Sequence, residues 1–253
     1  MKIVTEARKL FRRATSSPFP AGPAPLIVHC CHHKVGTVWF LRVFRGIAAQ
    51  YGLRVHGGPQ AGLRDQDIFV EDHSRIEADR LPRFRGSHMI RDPRDVVVSA
   101  YFYHLRTTEP WALEPQEAYG GLSYQDYLRG FDKHEGLLAE IRRSGATSIA
   151  DMTRWNYADP RFLELRYEEM LGDEAGGFRR LFEFYGFTPK AVETCVEIAL
   201  GISLDRTRQT TSHIRAGQPG EWRKHFEPEH HAAFKAATGD AALRLGYETD
   251  GAW

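Results

Sequence analysis

Cysteine is scarce here. Three residues among 253 are too few, and odd in number, for a disulfide framework. A reducing compartment, the cytoplasm, is therefore expected. No apolar run approaches the ~18 residues that carry a helix across a bilayer, so no membrane span is predicted. Neither sign of charge is in excess: 34 Lys and Arg offset 33 Asp and Glu, for a formal net charge of +1. Nothing pulls the whole chain toward nucleic acid or an anionic membrane, and any anion site must be a local cluster. Also missing is the G-x-x-x-x-G-K-[ST] loop of ATP- and GTP-binding proteins, which weakens a kinase or NTPase reading. Internal repeats, low-complexity tracts and a convincing linker are absent as well, so 1–253 is expected to form a single domain. Within it, Met1 to Phe11 is amphipathic and basic and lacks the apolar core of a secretory signal. A surface helix is expected there, with a transit peptide as the alternative, and 1–24 reads as an N-terminal helix and linker.

What is present is ordinary for a globular protein: 42% apolar and 26% charged residues. Strands are expected at about Leu26 to Cys31, Asp67 to Glu71, Ser87 to Ile90 and Phe162 to Tyr167. Helices are expected at about Gly36 to Gln50, after Pro93, between Ser123 and Ala158, at Ala175 to Tyr185, Pro189 to Leu200 and Pro228 to Thr238. Thr107 to Gly121 and Thr207 to Gly220 read as loops. Strands alternating with helices give an α/β class, a parallel central sheet flanked by helices on both faces. The cluster His29-Cys30-Cys31-His32-His33 looks metal-binding, but alternate residues on a strand face opposite ways and cannot converge on one ion. No metal is expected.

Three segments suit anions. In His33-Lys34-Val35-Gly36-Thr37-Val38-Trp39 a strand, a tight loop and a helix follow one another. Gly36 allows close backbone approach, the opening N–H groups of the helix favour negative charge, and Lys34, Thr37 and Trp39 add a cation, a hydroxyl and a flat aromatic face. An ordinary turn is the alternative. In Arg91-Asp92-Pro93-Arg94-Asp95, Arg91 ends a strand where open α/β sheets bind ligands, and Ser99 lies eight residues on. A guanidinium and a hydroxyl make a phosphate clamp; a surface ion pair is the other reading. Finally, Ile214 to Phe226 places Arg215 in a Gly-rich loop before an aromatic-anchored helix, which also reads as a solvated basic loop.

Taken in order, these segments resemble the motifs of one family, the cytosolic-type sulfotransferases that use 3′-phosphoadenosine 5′-phosphosulfate (PAPS). His33 to Trp39 looks like the family's P-K-S-G-T-T-W, RDPRDVVVS like R-N-P-K-D-x-x-V-S, IRAGQPGEW like R-K-G-x-x-G-D-W, and Tyr167-Glu168-Glu169-Met170 like Y-E-D-[LM]. The resemblance implies the P-loop nucleoside-triphosphate-hydrolase-like sulfotransferase fold and a PAPS-dependent O-sulfotransferase, with 3′-phosphoadenosine 5′-phosphate (PAP) as product. It implies that Lys34, Gly36 and Thr37 hold the 5′-phosphosulfate. Trp39 would stack on adenine beside Tyr167, and Arg91, Ser99 and Arg215 would bind the 3′-phosphate with backbone access at Gly217. Val38 and Ala216 occupy cofactor-binding positions of the pattern, but Val35, Val38 and Ala216 lack its polar groups. Glu227-Pro228 stands where the family's dimer motif would continue, so that dimer is not expected and the oligomeric state stays open.

In-line transfer to an aliphatic hydroxyl needs a base, and His suits neutral pH. The resemblance implies His73, eighteen residues before Arg91, with Lys34 neutralising the leaving group. Glu71 stands where the family has a Lys, so Asp72 or Glu71 as a carboxylate base, with His73 structural, is the alternative. His88 reads as a satisfied core residue. His104 and His213 flank loops that could touch the acceptor, and Trp111 and Tyr119 suit its ring or sugar face. The acceptor is expected to be a small-molecule or glycoconjugate hydroxyl. Two further readings stay open: an inactive PAP- or PAPS-binding protein of the same fold, and a nucleotide kinase.

Overall fold

Leu26-Ile27-Val28-His29-Cys30 is buried at every position, as a strand covered on both faces must be. It forms β1 (Leu26–Cys30), the middle strand of a five-stranded sheet. The structure is a computed structural model that describes residues 17–203, 217–251 and 253. After β1 come helix α1 (Thr37–Tyr51), β2 (Val55–Gly57), β3 (Ile68–Glu71) and β4 (Phe84–Ile90). Helices α2 (Pro93–His104), α3 (Pro110–Leu113), α4 (Tyr124–Arg129), α5 (Lys133–Ser144) and α6 (Ala150–Arg154) follow. The chain continues through β5 (Phe162–Arg166), α7 (Tyr167–Gly172), α8 (Glu174–Tyr185), α9 (Pro189–Gly201), α10 (Pro228–Thr238) and α11 (Ala241–Arg244).

The strand order is β2-β3-β1-β4-β5 and every pairing is parallel. The C-terminal ends of all five strands therefore share one edge, where such sheets bind ligands. The expected parallel α/β sheet is present, with two differences. β2 is three half-exposed residues, too short to show a period. β4 starts at Phe84 rather than Ser87, running through Gly86, where a Cβ would come within 2.3 Å of the Phe162 ring on β5. Glycine thus seats an aromatic neighbour here and does not interrupt the strand.

The described residues fall into two compact units. One comprises residues up to Ile90 together with 156–203. Its core joins Trp39, Phe40 and Phe44 of α1 to Phe178, Phe182 and Tyr185 of α8. α1 stops at Gly52, whose φ of 68° returns an N–H to Ala48. The other unit comprises Arg91–Trp155 and residues from 217 onward. Three of its helices start on side-chain caps: Asp92 for α2, with Pro93 in the first turn, Ser123 for α4 and Asp132 for α5. Thr107 to Gly121, expected as a loop, contains α3 and a 3-10 turn at Glu117–Tyr119. Trp111 and Tyr119 from this segment pack on the buried Tyr124, Leu128 and Ala139. Among the described residues no helix is long and apolar enough to cross a membrane.

Candidate active site

The loop after β1 delivers the opening turn of α1. Gly36 caps that helix at φ 90° with no side-chain bond, and no acidic residue occupies the first turn. The free N–H groups and the helix dipole are therefore open to an anion. The positive φ selects glycine at this position; the one close neighbour a Cβ would meet, Met89 Cε at 2.9 Å, is the movable end of a flexible side chain. Lys34 itself holds a left-handed φ of 65°, a strained state for a side-chain-bearing residue and one that clusters at functional sites. Thr37 Oγ1 is 3.1 Å from Cys31 Sγ. Burial pushes the Cys31 thiol up to about 12, with the Thr37 bond opposing. Cys31 is thus a neutral thiol that orients the Thr37 hydroxyl.

The loop after β3 is tied to this one. Cys30 pairs with Glu71, the Cys31 N–H donates to the Glu71 carbonyl at 3.0 Å, and the Ser74 hydroxyl donates to the Cys31 carbonyl at 2.9 Å. The Glu71 carboxylate is 4% exposed and accepts the N–H groups of His73 at 3.0 Å and Arg75 at 2.7 Å. Burial raises its pKa against those two bonds. Glu71 therefore caps its own turn. His73, by contrast, has a side chain 47% exposed, with Asp72 Oδ1 at 3.9 Å.

In the second unit the RDPRD and GQPGEW segments form one structure. Asp95 accepts the N–H groups of Gly220 at 2.7 Å and Trp222 at 2.9 Å, and Arg91 Nη2 donates to the Gln218 carbonyl at 3.4 Å. The Arg94 guanidinium lies over Trp222 and Trp253, 3.9 and 4.5 Å from their ring centroids, and is also held by Asp92 and Glu248. Gly217 and Gly220 take positive φ, and Ser99 is half-exposed on α2. In the sequence Asp95 stands out only as an acid in the first turn of α2. Its acceptor role depends on residues 125 and 127 positions away, which no local signal reveals. Arg215, Ala216 and His213 lie outside the described residues.

The family model described as "Sulfotransferase domain" matches residues 87–246, more than half of the chain. The chain belongs to the sulfotransferase family. It is 26% identical over 162 residues to mouse (Mus musculus) sulfotransferase 2A6, which covers 58% of this chain and 52% of that protein. It is 30% identical over 110 residues to rat (Rattus norvegicus) sulfotransferase 2A2, covering 39% of this chain and 30% of that one. The matched stretch thus spans about half the length of the first relative and less of the second. Among solved structures, mouse sulfotransferase SULT7A1 complexed with PAP is similar with a TM-score of 0.61 and 16% identity, covering 93% of this chain and 90% of that one. At that identity the likeness concerns the fold.

Several positions expected at this sulfotransferase site stand elsewhere. Trp39 is 0% exposed, in edge-to-face contact with Phe40, Tyr167 and Phe178. As it stands the indole packs beneath the loop and offers no open face to adenine; Tyr167, 2% exposed, is similarly enclosed. His104 was expected near the acceptor but is fully buried, bonded to Glu140 Oε2 at 2.7 Å and packed between Trp111 and Tyr124. Trp111 spends its indole N–H on Glu109 at 2.7 Å and lies under the Arg143 guanidinium. Tyr119 stacks into Tyr124 and Tyr127. All three build a core, because aromatic area gains more from burial than from a wet loop.

The His-Cys cluster splits as strand alternation requires. His29 Nδ1 meets Ser87 Oγ at 2.7 Å and Cys31 meets Thr37, while His32, on the other face, meets His88. Among the described residues, His134, Glu227 and His230 bring ligand atoms within 4.8 Å of one another. His230 Nδ1 accepts the Glu227 N–H at 2.9 Å and its Nε2 faces the His134 carbonyl at 3.1 Å. Nδ1 thus caps the start of α10, while Nε2 ties that helix to α5.

Proposed function

We propose that this sulfotransferase moves a sulfuryl group from PAPS to a hydroxyl acceptor by in-line transfer, with His73 as general base. The observation that carries this reading is the hydrogen-bonded pairing of two loops at the sheet's C-terminal edge. One holds Lys34, Gly36 and the uncapped start of α1, and the other holds His73. The donor site fits a phosphosulfate on physical grounds: a helix N-terminus with no side-chain cap, no acid in its first turn, and a glycine at φ 90°.

Lys34 and the N–H groups of residues 36 and 37 bind the phosphosulfate and oppose charge growing on the leaving oxygen. Thr37, oriented by Cys31, donates to the same group. Arg91, Ser99, Gly217 and Arg215 bind the 3′-phosphate. Asp95 holds the Gly220 to Trp222 segment that follows Gly217. His73, solvent-accessible and not consumed by a buried partner, takes the acceptor proton. PAPS supplies the activated sulfuryl group. The acceptor is a small-molecule or glycoconjugate hydroxyl, and the setting is cytoplasmic.

Isothermal titration with adenosine 3′,5′-bisphosphate, beside ATP, tests the site. Micromolar or tighter bisphosphate binding with much weaker ATP binding supports it; equal preference refutes it. An acceptor screen with His73→Ala then tests the base. Val35, fully buried, and Val38 supply no hydroxyl to the loop, which favours one second reading: a protein that binds the nucleotide without transfer. A single turnover on any alcohol or phenol excludes it.

A further inference from the structure

Strands paired in register point matching side chains to the same face. His88 on β4 pairs with Cys30 on β1 and with Glu164 on β5, and His32 continues the Cys30 face two residues further on. His88 Nδ1 lies 2.6 Å from Glu164 Oε2, and His88 Nε2 lies 2.8 Å from His32 Nε2. Both imidazoles are 0% exposed, whereas the Glu164 side chain is 34% exposed. A hydrogen-bonded line therefore runs from a solvent-reachable carboxylate, through two buried rings, to the residue that opens the Lys34 loop.

The line has a direction. A carboxylate only accepts, so His88 Nδ1 carries the proton that Glu164 receives. Burial holds the His88 pKa down to about 3, so the ring is neutral and its Nε2 is a bare acceptor. His32 must then donate from Nε2, which fixes its tautomer and leaves Nδ1 as an acceptor. The His32 carbonyl in turn receives the Val35 N–H at 3.0 Å. That bond closes the turn in which Lys34 holds its left-handed φ.

We infer that Glu164 and His88 are positioning residues for the phosphosulfate loop: they set the plane and tautomer of His32 and through it the path of residues 32–36. This rests on the sulfotransferase reading of that loop. Ligating and contacting groups held by such outer partners lose affinity when the partner is removed.

The test compares wild type, Glu164→Gln and Glu164→Leu by titration with adenosine 3′,5′-bisphosphate and by ¹H–¹⁵N NMR of the imidazole nitrogens. Glutamine keeps an acceptor at the same reach; leucine does not. The expected result is bisphosphate binding weakened about tenfold in Glu164→Leu, the worth of one hydrogen bond, and restored to within about threefold in Glu164→Gln. His32 is expected in the Nε2–H form in wild type and Glu164→Gln, with altered ring signals in Glu164→Leu. Thermal unfolding checks that each variant is folded, and His88→Gln, which shortens the line from the other side, substitutes if Glu164→Leu is not. Wild-type binding with unchanged affinity and unchanged ring signals in Glu164→Leu overturns the inference alone. Failure of the wild type to bind the bisphosphate overturns the sulfotransferase reading of the loop, and the inference with it.

Discussion

Mild acid should destabilise this protein through two histidines that the fold holds neutral. His29 and His88 lie on opposite faces of the sheet, fully buried, with pKa values pushed from 6.5 down to about 3, chiefly by burial. The unfolded chain binds these protons near 6.5 and the folded one does not, so stability is complete above about pH 6.5 and is lost as the pH falls below it. At pH 5.5 an ordinary histidine is roughly nine-tenths protonated, so each buried ring costs about 1.4 kcal/mol, or ~3 kcal/mol for the pair. That is a large share of the ~5–15 kcal/mol available to a domain. His231, lowered by burial, acts in the same direction, and His134, raised by Glu229 and Glu227 against desolvation, acts in the opposite one. Urea unfolding at pH 7.5 and 5.5, followed by tryptophan fluorescence and by circular dichroism, measures the difference. His29→Gln and His88→Gln should each remove about half of it. A wild-type midpoint that does not move between these pH values, or variants that keep the full slope, would refute the claim that these rings stay neutral.

Lys34→Ala should lower turnover by about 10² or more, because the proposed mechanism assigns this cation to the developing charge; steady-state kinetics against PAPS decide. Asp95→Ala should strip two N–H groups of their acceptor, at about 1–3 kcal/mol each, and weaken bisphosphate binding more than Asp95→Asn does, as titration will show. Glu140→Ala leaves His104, Tyr124 and Ser144, all bonded to that carboxylate, without it, and a loss of several kcal/mol is expected in chemical unfolding. Burial opposes ionisation of Glu140, but His104, Arg143 and Ser144 outweigh it and hold the pKa below the ordinary value. Its contribution should therefore be complete above about pH 4.5 and be lost progressively as the pH falls below that, where it adds to the histidine effect that runs from about pH 6.5 down to about 3.

β1 and β3 were legible because they are largely apolar runs, and the helices announce themselves through caps such as Asp92-Pro93 and Thr188-Pro189. The Lys34-to-Trp39 loop was legible for the same reason: strand, glycine and helix are consecutive. Long-range partnership was not. Nothing near Asp95 says that it will accept from Gly220 and Trp222, and nothing near Glu140 says that it will bind a histidine, a tyrosine and a serine. The aromatic residues of 107–121 were assigned to a pocket because their segment holds Pro and Gly in plenty. Composition alone cannot distinguish aromatics lining a cleft from aromatics folding a segment back onto Tyr124. Trp39 shows the same limit: a motif position conveys a residue type, while exposure depends on Phe178, which comes from a helix far along the chain.

Glu71 stands where the family has a Lys, and an anion facing a migrating sulfuryl group would raise the barrier to transfer. The structure changes the terms of that objection. The carboxylate turns back onto the N–H groups of His73 and Arg75, so its charge is met by two donors and serves to shape the turn that presents His73. On the proposed mechanism, the substitution of an acid for the family's lysine gives up a cation and gains an ordered base, and Lys34 with the loop N–H groups carries the electrostatic work. Glu71→Gln, which still accepts, should keep most of the turnover. Glu71→Lys, which restores the family's charge, should instead leave two N–H groups unmet at about 1–3 kcal/mol each and lower both the melting temperature and the rate. A Glu71→Lys variant that melts like wild type and turns over faster would mean that the carboxylate faces the transferring group, and that the turn needs no cap.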